Sequence, residues 1–189
     1  MDQDFTIVKH IDHLKAYKSF IGRTVSEISH CQYYYNDEPY KDEDCDLEFK
    51  FEDGSVLTFS ILSDGESMIA KAEPLTIPES FDLGDNSHCS WRRILLNHEP
   101  IWKDITGAKL TDIESVIDHW IRFDTKVISG CRLSLSNGSY VVFMNIGDNS
   151  RFSINDVSLI ENPDGAVTTF SSILEIDRNG ESTGQGLLF

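Results

Sequence analysis

The sequence has no CxxC pair, no HExxH, and no phosphate-loop or kinase signature. Its one GxSxG match, GESTG at 180–184, falls in the glycine-rich stretch NGESTGQG, which reads as flexible rather than as a strand–turn–helix. No apolar run approaches the ~20 residues that a membrane span needs. Basic residues are scarce: 16 Lys and Arg stand against 32 Asp and Glu, for a net charge of −16. Each shortage excludes something. The first residues, MDQDFTIVKH, lack the basic start and apolar stretch of a secretory signal, so the expectation is a soluble, cytoplasmic protein. The negative field opposes loading onto bare nucleic acid or an anionic membrane and attracts basic partners. The four cysteines, Cys31, Cys45, Cys89 and Cys131, lie far apart and read as reduced thiols, with Cys131 in an inward slot of a strand. The missing motifs leave no catalytic residue and no cofactor to name.

What remains is ample for folding. At 40% hydrophobic and 11% aromatic over 189 residues, the chain can bury a core as one generous domain or as two fused halves. Internal similarity favours halves within one compact unit. GRTVSEI at residues 22–28 resembles GAKLTDI at 107–113. About thirty positions later in each, DGSVLTFSILSDGESM aligns without a gap to NGSYVVFMNIGDNSRF. Gly54/Gly138, Ser55/Ser139, Phe59/Phe143 and Asp64/Asp148 coincide.

Both segments read as hairpins whose register can be derived. Leu47, Phe49 and Phe51 alternate with charged residues, and the return strand puts Leu57, Phe59 and Ile61 on one face. A two-residue turn would set these rows on opposite faces. A three-residue Glu52-Asp53-Gly54 loop with Gly54 as bulge pairs Phe49 with Leu57 and Leu47 with Phe59. Likewise Ser136-Asn137-Gly138 brings Leu133 opposite Val141 and Cys131 opposite Phe143. The expected class is α+β, mostly β: two tandem antiparallel β-meander repeats sharing a core, with short helices at the joins. Repeat 1 spans about residues 20–75 and repeat 2 about 101–160. Between them lies a linker with a short helix, 76–100; a C-terminal strand and flexible tail occupy 161–189.

Ile11, Leu14, Tyr17 and Ile21 predict a short helix over 12–20, ended by Gly22. SWRRILLNH predicts a second over 90–98, stopped by Pro100 and preceded by a loop, PLTIPESFDLGDNSHC. Residues 118–123 fit helix or strand. A final meander is expected from 151–160, a turn at 162–165, and 166–176.

Several constellations resolve into bland readings. Asp42, Asp44 and Asp46 hold the first, third and fifth places of a calcium loop, but its sixth and twelfth places hold Leu47 and Asp53. His10, His13, His30, His88, His98 and His119 form no pair of closely spaced ligand pairs, so no metal is expected. Asp64 and Asp148 fit turn caps better than an acid–base pair. The segment QYYYNDEPYKDEDCD stands out. Tyrosine gives contact area at low entropic cost, and carboxylates steer and pair Arg and Lys. Tyr33, Tyr34, Tyr35, Asp37, Glu38, Tyr40, Asp42, Glu43, Asp44 and Asp46 are therefore the candidate partner-binding residues.

A small, acidic, repeat-built, aromatic-rich chain without catalytic motifs resembles the bacterial immunity proteins that neutralise a toxin delivered by a neighbouring cell, including those of contact-dependent inhibition systems. The resemblance implies a basic protein toxin domain as partner, often a nuclease, blocked by stoichiometric occlusion rather than catalysis. It implies no nucleic acid, membrane or cofactor, and leaves the oligomeric state open. The alternative is a small enzyme or ligand-binding protein using a cleft between the two β repeats, lined by Asp64, Asp148 and a histidine.

Overall fold

The computed structural model describes residues 17–40, 46–65, 67–147, 149–160 and 165–172. The described chain is mostly antiparallel β. Strands run β1 Val25–Tyr35, β2 Glu38–Pro39, β3 Leu47–Phe51, β4 Val56–Ile61, β5 Met68–Lys71, β6 Phe81–Gly84 and β7 Ser87–Leu95. They continue with β8 Leu110–Trp120, β9 Thr125–Leu135, β10 Tyr140–Asn145, β11 Ser150–Ile154 and β12 Ala166–Ser172. One sheet has the order β5-β4-β3-β1-β7-β6, with β2 on the far end of β1; the other has the order β11-β10-β9-β8-β12.

The hairpin registers follow from alternation and one bulged loop. Phe49 faces Leu57 and Leu47 faces Phe59; Leu133 faces Val141 and Cys131 faces Phe143. Gly54 N–H donates to the Phe51 carbonyl and Gly138 N–H to the Leu135 carbonyl, closing three-residue loops. These two glycines sit at φ +82° and +86°, a conformation that strains any residue with a Cβ.

The correspondence extends beyond the hairpins. β1 and β8 are both eleven residues long and lie 85 positions apart, and each ladder shifts register at the same place, between Val25 and Glu27 and between Leu110 and Asp112. Each meander then returns a late strand to the free side of its first strand: β7 covers Ser29 to Tyr35, and β12 covers Glu114 to Trp120. Where the halves meet, Gly22 N–H donates to the Leu110 carbonyl (2.7 Å) and Gly107 N–H to the Val25 carbonyl (2.8 Å). Val25 N–H to Ala108 and Leu110 N–H to Arg23, both 2.9 Å, complete a reciprocal set around the Thr24–Lys109 bridge. The turns after β4 and β10 differ in length. Leu62 N–H reaches the Ser67 carbonyl, whereas Ile146 N–H reaches the Asn149 carbonyl, two residues sooner.

The inner faces of both sheets form one core. Ile28, Phe49, Leu57 and Phe59 from one sheet pack with Ile113, Leu133, Val141 and Phe143 from the other, and the Phe59 and Phe143 rings lie 6.0 Å apart. Trp102 and Ile105, on the segment joining the halves, are fully buried in it.

Three expectations need correction or restriction. Residues 90–98 are not a helix: Ser87–Leu95 is a strand, and PLTIPESFDLGDNSHC supplies β6 and the start of β7. Trp91, Ile94 and Leu95 imitate helical spacing because both faces of this strand are partly covered, which blurs its alternation. Residues 118–123 resolve as strand up to Trp120, followed by a turn. The segment 151–160 is strand only as far as Ile154. The helical elements among the described residues are 3-10 turns at Lys18–Phe20 and Pro100–Trp102. Most of the predicted 12–20 helix, the turn before Gly165 and the chain after Ser172 lie outside the described residues.

Candidate interaction surface

β1 and β7 run past the end of β3. β3 pairs with β1 from Val25 to His30, while β7 follows β1 out to Tyr35. Two tight hairpins close this overhang: Asn36-Asp37 joins β1 to β2, and Asp85-Asn86 joins β6 to β7. All four turn residues have positive φ, the conformation that Asn and Asp tolerate best among residues with a Cβ. The turns are tied together, with Asn36 N–H donating to the His88 carbonyl and His88 N–H to Asn36 Oδ1. The result is a four-stranded wing, β2-β1-β7-β6.

Alternation divides its aromatics between two faces. Tyr33 and Trp91 are cross-strand partners, as are Tyr35 and Cys89, and Cys89 and Phe81. All share the face that carries Ser29 and Glu48, away from the other sheet. On that face a row of rings runs Tyr40–Tyr33 (5.9 Å), Tyr33–Trp91 (5.2 Å) and Trp91–Phe81 (5.7 Å). The Tyr33 hydroxyl meets Cys89 Sγ at 3.0 Å. Tyr35, Tyr40, Phe81 and Leu83 are 43–54% exposed. On the opposite face, the Arg92 guanidinium lies 4.3 Å from the Tyr34 ring centroid and donates to the Asp37 carboxylate, with His88 Nε2 3.4 Å from its other oxygen.

The structure thus sorts the candidate residues. Tyr33, Tyr35 and Tyr40 belong to the aromatic face, Tyr34 and Asp37 to the other, and Glu38 lies exposed on β2. Asp42, Glu43 and Asp44 lie outside the described residues. Asp46 stands apart from the wing, half-buried at the start of β3, where Ser60 Oγ donates to it at 2.8 Å; burial pushes its carboxyl above the ordinary value. Sequence reading missed Phe81 and Trp91. Their signal was the Asp85-Asn86 dipeptide between two short β-prone runs, a hairpin signature hidden inside a segment read as linker.

The other candidates settle as follows. The Asp64 carboxylate accepts Ser67 N–H at 2.8 Å, a turn cap. Asp148 lies outside the described residues. Cys31, Cys89 and Cys131 are buried, and burial raises the Cys131 thiol well above its usual range; Cys45 lies outside the described residues. Among the described residues no three His, Cys, Asp or Glu side chains are grouped to hold a metal ion. No described helix is long and apolar enough to cross a membrane. Comparison with family models, curated proteins and solved structures gives no match for this chain.

Proposed function

We propose that this chain is an acidic immunity protein, acting in the cytoplasm, that binds a basic protein toxin domain, a nuclease by preference, and blocks it by stoichiometric occlusion. The supporting observation is the Tyr40–Tyr33–Trp91–Phe81 row, half-buried at its centre and exposed at both ends, on a chain of net charge −16. Rigid aromatic rings are the commonest energetic anchors of protein interfaces, and opposite charge raises the association rate. Asp42, Glu43 and Asp44, which follow Tyr40 closely in sequence, are the proposed steering charges. In this reading the matched meanders and reciprocal contacts between halves reflect a duplicated unit, whose first copy gained the wing.

The test is binding to the product of the neighbouring gene, together with protection of cells that express it. Trp91→Ala should weaken binding by about 2 kcal/mol or more if it is an anchor. Reversing Asp42, Glu43 and Asp44 to Lys should slow association and flatten its salt dependence, with a smaller effect on dissociation. Asp46 is left unchanged because its contact with Ser60 is structural. Full affinity in both variants would move the interface off the wing. Failure of the unmutated protein to bind any neighbouring product would overturn the immunity reading.

A further inference from the structure

On the outer face of the second sheet, the segment after β11 folds back and lays Leu159 and Ile160 over Val116, Val142 and Met144. The cover is partial. Beyond it lies a cavity of about 450 Å³, lined by Asp118, Trp120, Val127, Ser129, Met144 and Arg151 among others. That volume is within the range of small-molecule sites. A bulge helps to shape it: Val116 pairs with Gly130 and Ile117 with Ile128, leaving Ser129 as the extra residue.

Asp118 is the unusual member. It is 6% exposed, and its carboxylate accepts one hydrogen bond, from Thr168 Oγ1 at 2.5 Å. Among the described residues no Lys, Arg or His pairs with it. A carboxylate can accept about four hydrogen bonds, and burying one without a cation is costly. Two other acids of the outer faces do have an arginine: Glu48 pairs with Arg93, and Glu114 with Arg132. Arg151, also lining the cavity, is half-buried and has an interaction of its own.

We propose that this cavity binds an organic cation, a guanidinium or ammonium group on a short apolar stem. Asp118 pairs the charge, the Trp120 indole supplies a π surface beside it, and Val127 and Met144 receive the stem. The chain's negative field concentrates such ligands. The same chemistry arrives either as a free amine or guanidine, or as a Lys or Arg side chain of a protein. The site is separate from the wing and does not depend on the immunity reading.

Titration with agmatine, followed by amide and indole NMR shifts, should show saturable binding that moves the Trp120 indole resonance, assigned with Trp120→Phe. Asp118→Asn should weaken binding at least ~10-fold, about 1.4 kcal/mol. Agmatine should also raise the melting temperature of the unmutated protein, while neutral N-butylurea should not; this second readout holds even if Asp118→Asn folds poorly. A doubly capped arginine amide tests the source. Binding as tight as agmatine's favours a protein side chain, and exclusion of the capped compound favours a free ligand. No binding of agmatine at millimolar concentration, equal stabilisation by N-butylurea, or undiminished affinity in a folded Asp118→Asn overturns the proposal. Failure of wing variants to affect a partner would leave this result untouched.

Discussion

The two sheets present nearly interchangeable inner faces and quite different outer ones. Inward, Ile28, Phe49, Leu57 and Phe59 correspond to Ile113, Leu133, Val141 and Phe143, all essentially fully buried. Outward, Thr58 and Ser60 of the first sheet stand where the second has Val142 and Met144. The first outer face is a polar clamp. Glu48 accepts hydrogen bonds from Ser29 Oγ, Arg93 and the Leu75 N–H; Arg93 returns one to the Leu75 carbonyl; and Thr58 Oγ1 donates to the Glu73 carbonyl. This network ties the segment after β5 across the sheet and buries Leu75. In the second half the corresponding segment is tied at its start by a reciprocal pair of bonds between Asn155 and Tyr140 and then lies by apolar contact on Val116, Val142 and Met144, with the Glu114–Arg132 pair to one side. Farther out, Tyr33 and Asp118 occupy equivalent positions: one joins an aromatic row, the other lines a cavity. A face that must exclude water tolerates few solutions, whereas a face covered by a short strap tolerates several, and there the halves part ways.

The largest expected effect tests the likeness of the inner faces. Phe59→Ala and Phe143→Ala should each cost about 3–5 kcal/mol of unfolding free energy, measured by urea denaturation. A loss in one half more than twice that in the other would show that the shared core is not shared equally.

The next effect breaks the symmetry by pH. His30 and Ser115 are equivalent, inward and buried, but only His30 titrates. Burial pushes the His30 imidazole down to about 4 from 6.5, and its Nδ1 has no hydrogen-bond partner among the described residues. The folded state therefore holds it neutral, while the unfolded chain takes up a proton below 6.5. Stability should be full above that pH and fall by up to about 3 kcal/mol as pH drops toward 4. Asp46 acts with the opposite sign in the carboxylate range, because its raised pKa makes the folded state the better proton acceptor there. His30→Gln should flatten the fall between pH 6.5 and 4 in thermal melts; an unchanged profile would remove His30 as its source.

A smaller difference separates the outer faces. Glu48→Ala strands the Leu75 N–H and removes the counter-charge of Arg93, and should cost about 2 kcal/mol, discounted because Arg93 keeps its bonds to Ser29 Oγ and the Leu75 carbonyl and is about one-third exposed. Glu114→Ala should cost about 1 kcal/mol, since both partners are partly exposed and no strap depends on them. Faster hydrogen exchange at Leu75 in Glu48→Ala would confirm that the network holds the strap. The smallest effect returns to the likeness: Gly54→Ala and Gly138→Ala should each cost about 1 kcal/mol, and should agree with each other because both loops need positive φ without crowding a neighbour.

Local chemistry in the amino-acid sequence determined what depends on a residue's near neighbours. Alternation of Leu47, Phe49 and Phe51 against Leu57 and Phe59, with a bulged Gly54 loop, was enough to derive the first hairpin's register. The same pattern set the second hairpin, because one residue of slip would have turned every apolar side chain to water. The capping role of Asp64 and the inward position of Cys131 were legible for the same reason. What lay beyond local reading was pairing across distance. That Ser87–Leu95 is a strand depends on β1, which lies more than fifty residues earlier and satisfies its backbone groups; alone, SWRRILL has helical spacing. The row that joins Tyr33 to Trp91 and Phe81, the withdrawal of Asp46 to Ser60, and the isolation of Asp118 beside a cavity exist only once the sheets are assembled. Each needs partners brought together by long-range ladders and then sorted by which face is buried, a choice made by the packed core rather than by any short stretch of chain.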